Sequence, residues 1–130
     1  MKIKLLRALL LLLLISICIY PDIQAGNLEE TNHPFSVHGK LTICNGNPPL
    51  RICVIGTNRV LGVKGGDLVP AEIPEKLKAI ISPRTDVYAD FSVTPLSKYQ
   101  KGVKQIIRID DAKNLVIYRN GKFVEKKEKL

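Results

Sequence analysis

Few residues of this chain have both the type and the spacing that catalysis requires. His38 is one of two histidines in 130 residues, and histidine is the side chain that most readily exchanges a proton near neutral pH. Together with Asp90, or with Asp110 or Asp111, it would form an acid–base pair. Asp110 and Asp111 are adjacent, so on a strand they point to opposite faces and are poor partners for each other. One functional class is therefore a small secreted hydrolase or lyase that uses His38 with an aspartate.

The sequence contains none of the short motifs that would make a catalytic function specific. There is no Gly-x-Ser-x-Gly nucleophile turn and no paired-glutamate arrangement. The glycine-rich run KGGD at 64–67 lacks the Lys-Ser/Thr pair of a phosphate-binding loop. His33 and His38 are the only histidines that would complete a zinc site with cysteines, and their spacing matches no familiar zinc motif. The sequence thus favours a protein without catalytic residues, bound metal or cofactor.

Basic side chains on the first predicted hairpin indicate a second functional class, a non-catalytic binding module. His38 and Lys40 alternate on one strand, Arg51 lies on the polar face of the next strand, and Arg59 follows after one more turn. A guanidinium group can hold a phosphate or carboxylate through two hydrogen bonds. We therefore expect His38, Lys40, Arg51 and Arg59 to bind a ligand. An ordinary solvated sheet face is the alternative.

The first 25 residues have the pattern of a secretory signal peptide. Lys2, Lys4 and Arg7 form a basic beginning, and an apolar run broken only by one serine follows at 8–20. Ala25 supplies a small residue before a cleavage point. The apolar run is shorter than the roughly 20 residues of a membrane-spanning helix, which favours cleavage over an uncleaved anchor. Lipidation at Cys18 is a further alternative, although the isoleucines beside it differ from the small residue that usually precedes a lipidated cysteine.

Cleavage after Ala25 would leave a basic protein in the periplasm or outside the cell. The segment 26–130 has 17 basic and 11 acidic residues, a net charge of +6. This balance suits contact with phospholipid head groups, lipopolysaccharide or acidic glycans, and solubility alone is the alternative explanation. We expect an anionic envelope component or another envelope protein as partner, no nucleic acid, and no transmembrane helix after cleavage.

Cys44 and Cys53 are the only cysteines after residue 25. In an oxidising compartment such a pair predicts a disulfide. The two cysteines lie on the same predicted face of the first hairpin, but they are directly opposite only in a register that leaves eight residues between them. A tighter hairpin would place them diagonally, which suits a bridge less well. The predicted Cys44–Cys53 disulfide therefore depends on the register of the hairpin.

Composition and pattern both favour β-strands. The segment 26–130 has ten valines and ten isoleucines against nine leucines, and β-branched side chains suit a pleated, half-buried surface. Alternation of apolar and polar residues between turn signals predicts strands at 35–44, 50–55, 59–63, 86–93, 103–109, 115–119 and 122–124. Asn120-Gly121 predicts a type I′ hairpin in which Tyr118 faces Phe123. A short helix is predicted at 74–81, because Ile73, Leu77 and Ile81 share one face.

These elements predict a mainly β fold with one short helix: a small five- to six-stranded β-barrel or sheet that ends in a β-hairpin. Three strands, a helix and two strands is also the order of the OB-type barrel. Another small barrel, or an open sheet with a helix on one face, is the alternative. The expected organisation is a signal peptide at 1–25, a flexible lead at 26–34, a single β-rich domain at 35–125 and a charged tail at 126–130.

Several segments of the chain resemble small uncharacterised secreted or periplasmic proteins of Gram-negative bacteria. The similar segments are VHGKL at 37–41, NGNP at 45–48, RI at 51–52, IGTxRxLGV at 55–63, DFSV at 90–93, PLS at 95–97 and DAKNL at 111–115. The resemblance covers most of the chain after residue 25 and implies no particular activity. Aromatic residues are expected in such proteins where this chain has Cys44 and Cys53, so the cysteine pair looks like a local departure.

Overall fold

Alternating apolar residues form the buried side of six strands in the computed structural model, which describes residues 33–66 and 68–130. The predicted signal peptide at 1–25 and most of the predicted lead at 26–34 lie outside the described residues. No helix in these two ranges is long and apolar enough to cross a membrane. The elements are β1 (Phe35–Ile43), β2 (Leu50–Val54), β3 (Val60–Val63), α1 (Glu75–Lys78), β4 (Thr85–Pro95), β5 (Gln105–Arg119) and β6 (Lys122–Lys129).

Five of the strands are hydrogen-bonded in a closed ring. β1 pairs with β2 and β4, β2 pairs with β3, and β5 pairs with both β4 and β3. The β3–β5 pairing is parallel and the others are antiparallel. β6 pairs only with β5 and so lies at an edge. The predicted mainly β fold, with one short helix and a terminal hairpin, is confirmed, and so is the OB-type order of its elements.

The core inside this ring is almost entirely aliphatic. Phe91 is the one aromatic residue among the buried hydrophobic side chains of the described ranges. α1 covers part of the core with Leu77, which is fully buried, and Ile73 precedes the helix in the same cluster. The other fully buried large side chains are Leu41, Ile52, Leu61, Val63, Val87, Val93, Ile107, Ile109, Leu115 and Ile117. Because the inward positions are filled this way, polar and aromatic side chains of the same strands lie on the outer face.

Gly39 allows β1 and β2 to pack closely. A Cβ atom at this position would overlap a side-chain methyl of Ile52 and lie 3.0 Å from the carbonyl oxygen of Cys53. Gly39 is opposite Val54 on β2 and Ala89 on β4, so it lies in the middle of the sheet. Any side chain here must displace Ile52 and crowd the backbone of Cys53.

β5 is a single strand where the sequence predicted two. It runs from Gln105 to Arg119 and bends through two register shifts against β4. One shift lies between the pairs Tyr88–Val116 and Asp90–Lys113, so β5 has one extra residue there. Because of this bulge, the backbone hydrogen bonds between β4 and β5 continue on both sides of a polar, irregular segment, and the strand does not end there. The predicted break at 110–114 is therefore wrong.

The terminal hairpin has the predicted turn but a longer second strand. Asn120 and Gly121 have φ angles of 51° and 74°, and Tyr118 is opposite Phe123, as a type I′ hairpin requires. The segment 126–130 was expected to be a charged tail outside the domain. Instead β6 continues to Lys129, whose backbone is paired with Lys113 of β5. Backbone pairing with a long β5 orders this segment although every residue of β6 is exposed.

Candidate functional site

Arg51 holds the β1–β2 loop and does not offer its whole guanidinium group to a ligand. Its Nε donates a hydrogen bond to the carbonyl oxygen of Pro48, and its Nη2 donates one to the carbonyl oxygen of Asn45, both at 2.9 Å. Lys40 and Arg51 do lie on the same polar side of the hairpin, because the apolar residues of both strands face the core. The structure therefore gives Arg51 a structural role. Lys40 lies near it on the same face of the sheet.

Arg59 makes contacts that separate it from the other predicted ligand residues. Its guanidinium carbon lies 5.3 Å from the ring centroid of Phe35 and 5.2 Å from that of Tyr99. Its Nη2 donates a hydrogen bond to Oε1 of Gln105 at 2.5 Å. Its Nε is buried and has no hydrogen-bond acceptor among the described residues. A buried N–H without an acceptor is costly, and this makes the Arg59 Nε a candidate ligand donor.

A depression of about 460 Å³ opens beside Arg59, between the β2–β3 turn and the β4–β5 loop. We call it the Arg59 pocket; its lining includes Asn58, Arg59, Tyr99, Gln100, Lys104 and Gln105, and no acidic residue. Lys98 and Lys101 are exposed on the same β4–β5 loop. None of the four basic residues forms an ion pair within the described ranges. This uncompensated positive charge suits an anionic ligand.

The β4–β5 loop is held in place by hydrogen bonds at both ends. Val103 donates its backbone N–H to the carbonyl oxygen of Gln100 at 3.0 Å, and Gly102 has the positive φ of 78° that this turn needs. The side chain of Gln105 donates to the carbonyl oxygen of Ser97 at 3.1 Å. Gln105 thus connects the loop to Arg59, because the same amide group accepts the hydrogen bond from the guanidinium.

His38 lies in a different region, on the outer face of β1, directly opposite Asp90 of β4. The Nδ1 atom of His38 and the Oδ1 atom of Asp90 are 2.8 Å apart. The two side chains are 58% and 48% exposed. The predicted acid–base pair is therefore formed with Asp90, while Asp110 instead accepts hydrogen bonds from Thr94 and Arg108.

Asn114 completes this hydrogen-bonded group from the bulge in β5. Its Nδ2 donates to Oδ2 of Asp90 at 2.9 Å, so both carboxylate oxygens have a partner. Asn114 has a φ angle of 53°, in the left-handed region that asparagine tolerates better than most residues. The hydrogen bonds from Asn114 and His38 lower the pKa of Asp90 below its ordinary value, since both stabilise the ionised carboxylate.

A second depression, of about 550 Å³, lies on the same outer face. We call it the His38 face; it is lined by His38, Asp86, Tyr88, Asn114, Val116 and Tyr118, with Gly121 at the hairpin turn. The rings of Tyr88 and Tyr118 meet edge to face at 5.7 Å, and Tyr118 meets Phe123 in the same way at 6.1 Å. The result is an aromatic row across β4, β5 and β6 beside two carboxylates.

The predicted disulfide between Cys44 and Cys53 is absent: both thiols are free. The hairpin register pairs Cys53 with Lys40, whereas Cys44 hydrogen-bonds through its backbone to Pro49. Four positions along a strand therefore separate the two cysteines, roughly 13 Å. A bridge requires Cα atoms within about 7 Å, so this register excludes one within the hairpin.

The described ranges contain no group of three or more histidine, cysteine or acidic side chains that would hold a metal ion. No family model matches this chain, and no curated protein or solved structure matches it.

The sequence identifies Arg59 and His38 and offers Asp90 as one of three possible partners of His38, but it does not indicate the other residues that these two contact. Tyr99 and Gln105 are 40 or more positions from Arg59, and no local pattern connects them to it. Asp86 and Tyr88 were assigned to a strand without a role. Asn114 has one available signal, because asparagine is enriched several-fold among the few residues other than glycine that adopt positive φ.

Proposed function

We propose that this protein is an exported, non-catalytic binding module of the periplasm or extracellular space, and that the Arg59 pocket binds an anionic group of an envelope component. Export is supported by the signal-peptide pattern of residues 1–25. The binding role is carried by one observation: Arg59, whose Nε–H is buried without an acceptor, lines a pocket that has no acidic residue in its lining.

The contacts of Arg59 suit recognition more than simple solubility. An arginine that serves only solubility keeps its guanidinium in water. The guanidinium of Arg59 instead contacts two aromatic rings and one amide. Because the side chain is already fixed before binding, less conformational entropy is lost when a ligand binds. Lys104 lines the same pocket and supplies a second positive charge to a phosphate or carboxylate.

The exposed lysines of the β4–β5 loop would extend the binding site beyond the Arg59 pocket, so that the protein could bind an anionic surface. Lys98 and Lys101 lie on the same loop as Tyr99 and are free of ion pairs within the described ranges. Charges in this position attract an anionic surface over about 8 Å at physiological ionic strength. Binding to phospholipid or lipopolysaccharide should therefore weaken as salt is raised.

The experiment is a binding titration of the purified protein against inorganic phosphate, and against vesicles with and without anionic phospholipid. Arg59→Met should weaken binding roughly tenfold or more, since it removes the hydrogen bonds to a charged group. Lys104→Gln should weaken it by a few-fold. Saturable phosphate binding would identify a phosphate subsite, and binding to anionic vesicles alone would identify an extended lipid surface.

Lys127→Gln is the matched control, because it removes the same charge from β6, outside the Arg59 pocket. If this variant loses as much affinity as Arg59→Met, binding reflects net charge and the pocket has no special role. If the wild-type protein binds none of these probes, the proposed function is wrong. An intact mass that still includes Met1 would contradict cleavage after Ala25.

A second candidate function, a small hydrolase or lyase, is favoured by the 2.8 Å contact between His38 and Asp90. An aspartate on Nδ1 leaves Nε2 to act as a general base. No hydroxyl or thiol among the described residues is hydrogen-bonded to that nitrogen, and both side chains are about half exposed. Turnover of ester, phosphoester or glycoside substrates that is abolished in His38→Gln would establish this alternative.

A further inference from the structure

The His38 face differs in charge from the rest of this basic protein. Asp86 is the only residue lining it that carries a full charge at neutral pH apart from a protonated His38. Asp86 forms no ion pair and no side-chain hydrogen bond within the described ranges. Asp90 is hydrogen-bonded to His38 and Asn114, both of which line the depression, and these hydrogen bonds favour its ionised form. In a chain of net charge +8, the one fixed charge that lines this depression is thus negative.

Aromatic rings border the carboxylates in this depression. Tyr88 and Tyr118 both line it, and Phe123 extends the row with a side chain that is 59% exposed. The faces of aromatic rings attract cations, and the attraction is strongest where water is partly displaced. Val116, on the strand position opposite Tyr88, adds an apolar side chain to the lining. This combination suits a cation with an apolar body.

Two lysines flank the His38 face without lining it. Lys40 of β1 is paired with Tyr88, and Lys126 of β6 is paired with Val116. Neither forms an ion pair within the described ranges. A positive charge on each side of the depression would repel an extended basic peptide, which favours a compact cation.

We propose that the His38 face is a second binding site, which takes a small organic ammonium group. The carboxylate of Asp86 supplies the opposite charge, and the rings of Tyr88 and Tyr118 contact the apolar carbons around the nitrogen. Asn114 and His38 hold the Asp90 carboxylate next to the site through hydrogen bonds to both of its oxygens. This site is separate from the anion-binding role of the Arg59 pocket and stands or falls independently of it.

The experiment is an amide NMR titration of the purified protein with choline, compared with its neutral isostere 3,3-dimethylbutan-1-ol. Choline should shift the signals of the His38 face saturably, and the isostere should bind at least about tenfold more weakly. Equal binding of both would show an apolar depression without charge recognition. Binding of a neutral methyl glycoside but not of choline would show a site for hydroxyl groups. Either result, or the absence of saturable shifts, would overturn the proposal.

Matched variants test the charge directly. Asp86→Asn should weaken choline binding roughly threefold to thirtyfold, whereas Glu128→Gln, the same change on β6 outside the depression, should have little effect. Lys40→Gln should strengthen choline binding modestly, because it removes a flanking positive charge. Unchanged affinity in Asp86→Asn, in a variant whose remaining amide spectrum is native, would contradict the site. Phosphate binding should be unaffected by Asp86→Asn, which separates failure here from failure of the Arg59 pocket.

Discussion

The Arg59 pocket and the His38 face differ both in charge and in the way the chain builds them. The Arg59 pocket is basic, and its central side chain contacts Phe35, Tyr99 and Gln105, which come from distant parts of the sequence. The His38 face is aromatic and has a single carboxylate, that of Asp86, in its lining, and its residues are neighbours in the register of β1, β4 and β5. Loops and one fixed side chain position the first region; backbone pairing positions the second.

This difference predicts different sensitivities to substitution. The His38 face depends on strand register, so changes that shift the backbone should disturb it most. The Arg59 pocket depends on side chains packed against a held loop, so side-chain changes should remove its binding without unfolding the domain.

Gly39→Val should reduce the free energy of unfolding by about 2–3 kcal/mol, since the new side chain overlaps Ile52 and approaches the backbone of Cys53. Urea denaturation measures the change. Ser36→Val is the control, because it puts the same residue on β1 at an exposed position. A stability equal to that of the wild type would show that β1 and β2 separate easily and that register does not hold the His38 face tightly.

Gly121→Val should cost about 1–2 kcal/mol, because a β-branched residue is strained at a φ angle of 74°. No atom lies within 4 Å of a Cβ at this position, so the cost is one of backbone conformation. Gly121→Asn should cost less, since asparagine tolerates positive φ. Thermal unfolding checks both variants. Phosphate binding should not change, and a loss of it would mean that the hairpin and the Arg59 pocket are coupled.

Arg59→Met should change stability by less than about 1 kcal/mol. The variant loses the hydrogen bond to Gln105 and the contacts with two rings, but it also removes a buried N–H that has no acceptor. Urea denaturation without phosphate gives the value. A loss above about 2 kcal/mol would show that Arg59 mainly supports the fold, which would weaken its assignment as a ligand donor.

Asn114→Gly should raise the pKa of Asp90 toward its ordinary value near 3.8, because the largest cause of its lowering is removed. A lowered folded-state pKa stabilises the fold above the unfolded-state pKa, and this contribution disappears as pH falls through the lower, folded-state value. The variant should therefore lose less stability than the wild type in that acidic range. Glycine keeps the positive φ, so the backbone is not strained. NMR titration of the Asp90 carboxyl carbon measures the pKa; an unchanged value would contradict the role of Asn114.

Local patterns in the sequence predict most of the fold. Alternation predicted the strands around Gly39 and Phe91, and Asn120-Gly121 predicted the turn type and the pairing of the last hairpin. The break at 110–114 was wrong because a bulge lets polar residues remain in a ladder. The charged end was misassigned because backbone pairing orders β6 without burying its side chains.

The candidate sites were only partly predictable because they depend on register and long-range contact. The pairing of His38 with Asp90 was one of several open choices until β1 and β4 were aligned. The Cys44–Cys53 disulfide was wrong because the observed register separates the two residues by four positions. Arg51 and Arg59 look equivalent in sequence, yet one hydrogen-bonds a local loop and the other contacts a distant one.

The most direct test of the account is to observe the Arg59 guanidinium itself while phosphate is added. In a ¹H–¹⁵N spectrum of the arginine side chains, the Nε–H signal of Arg59 should shift saturably and exchange more slowly with water as phosphate binds. The Nε–H signal of Arg51, which already donates to the carbonyl oxygen of Pro48, should stay in place. If the Arg59 signal does not respond, or if both signals move together, the Arg59 pocket is not the anion site and the proposed function is contradicted.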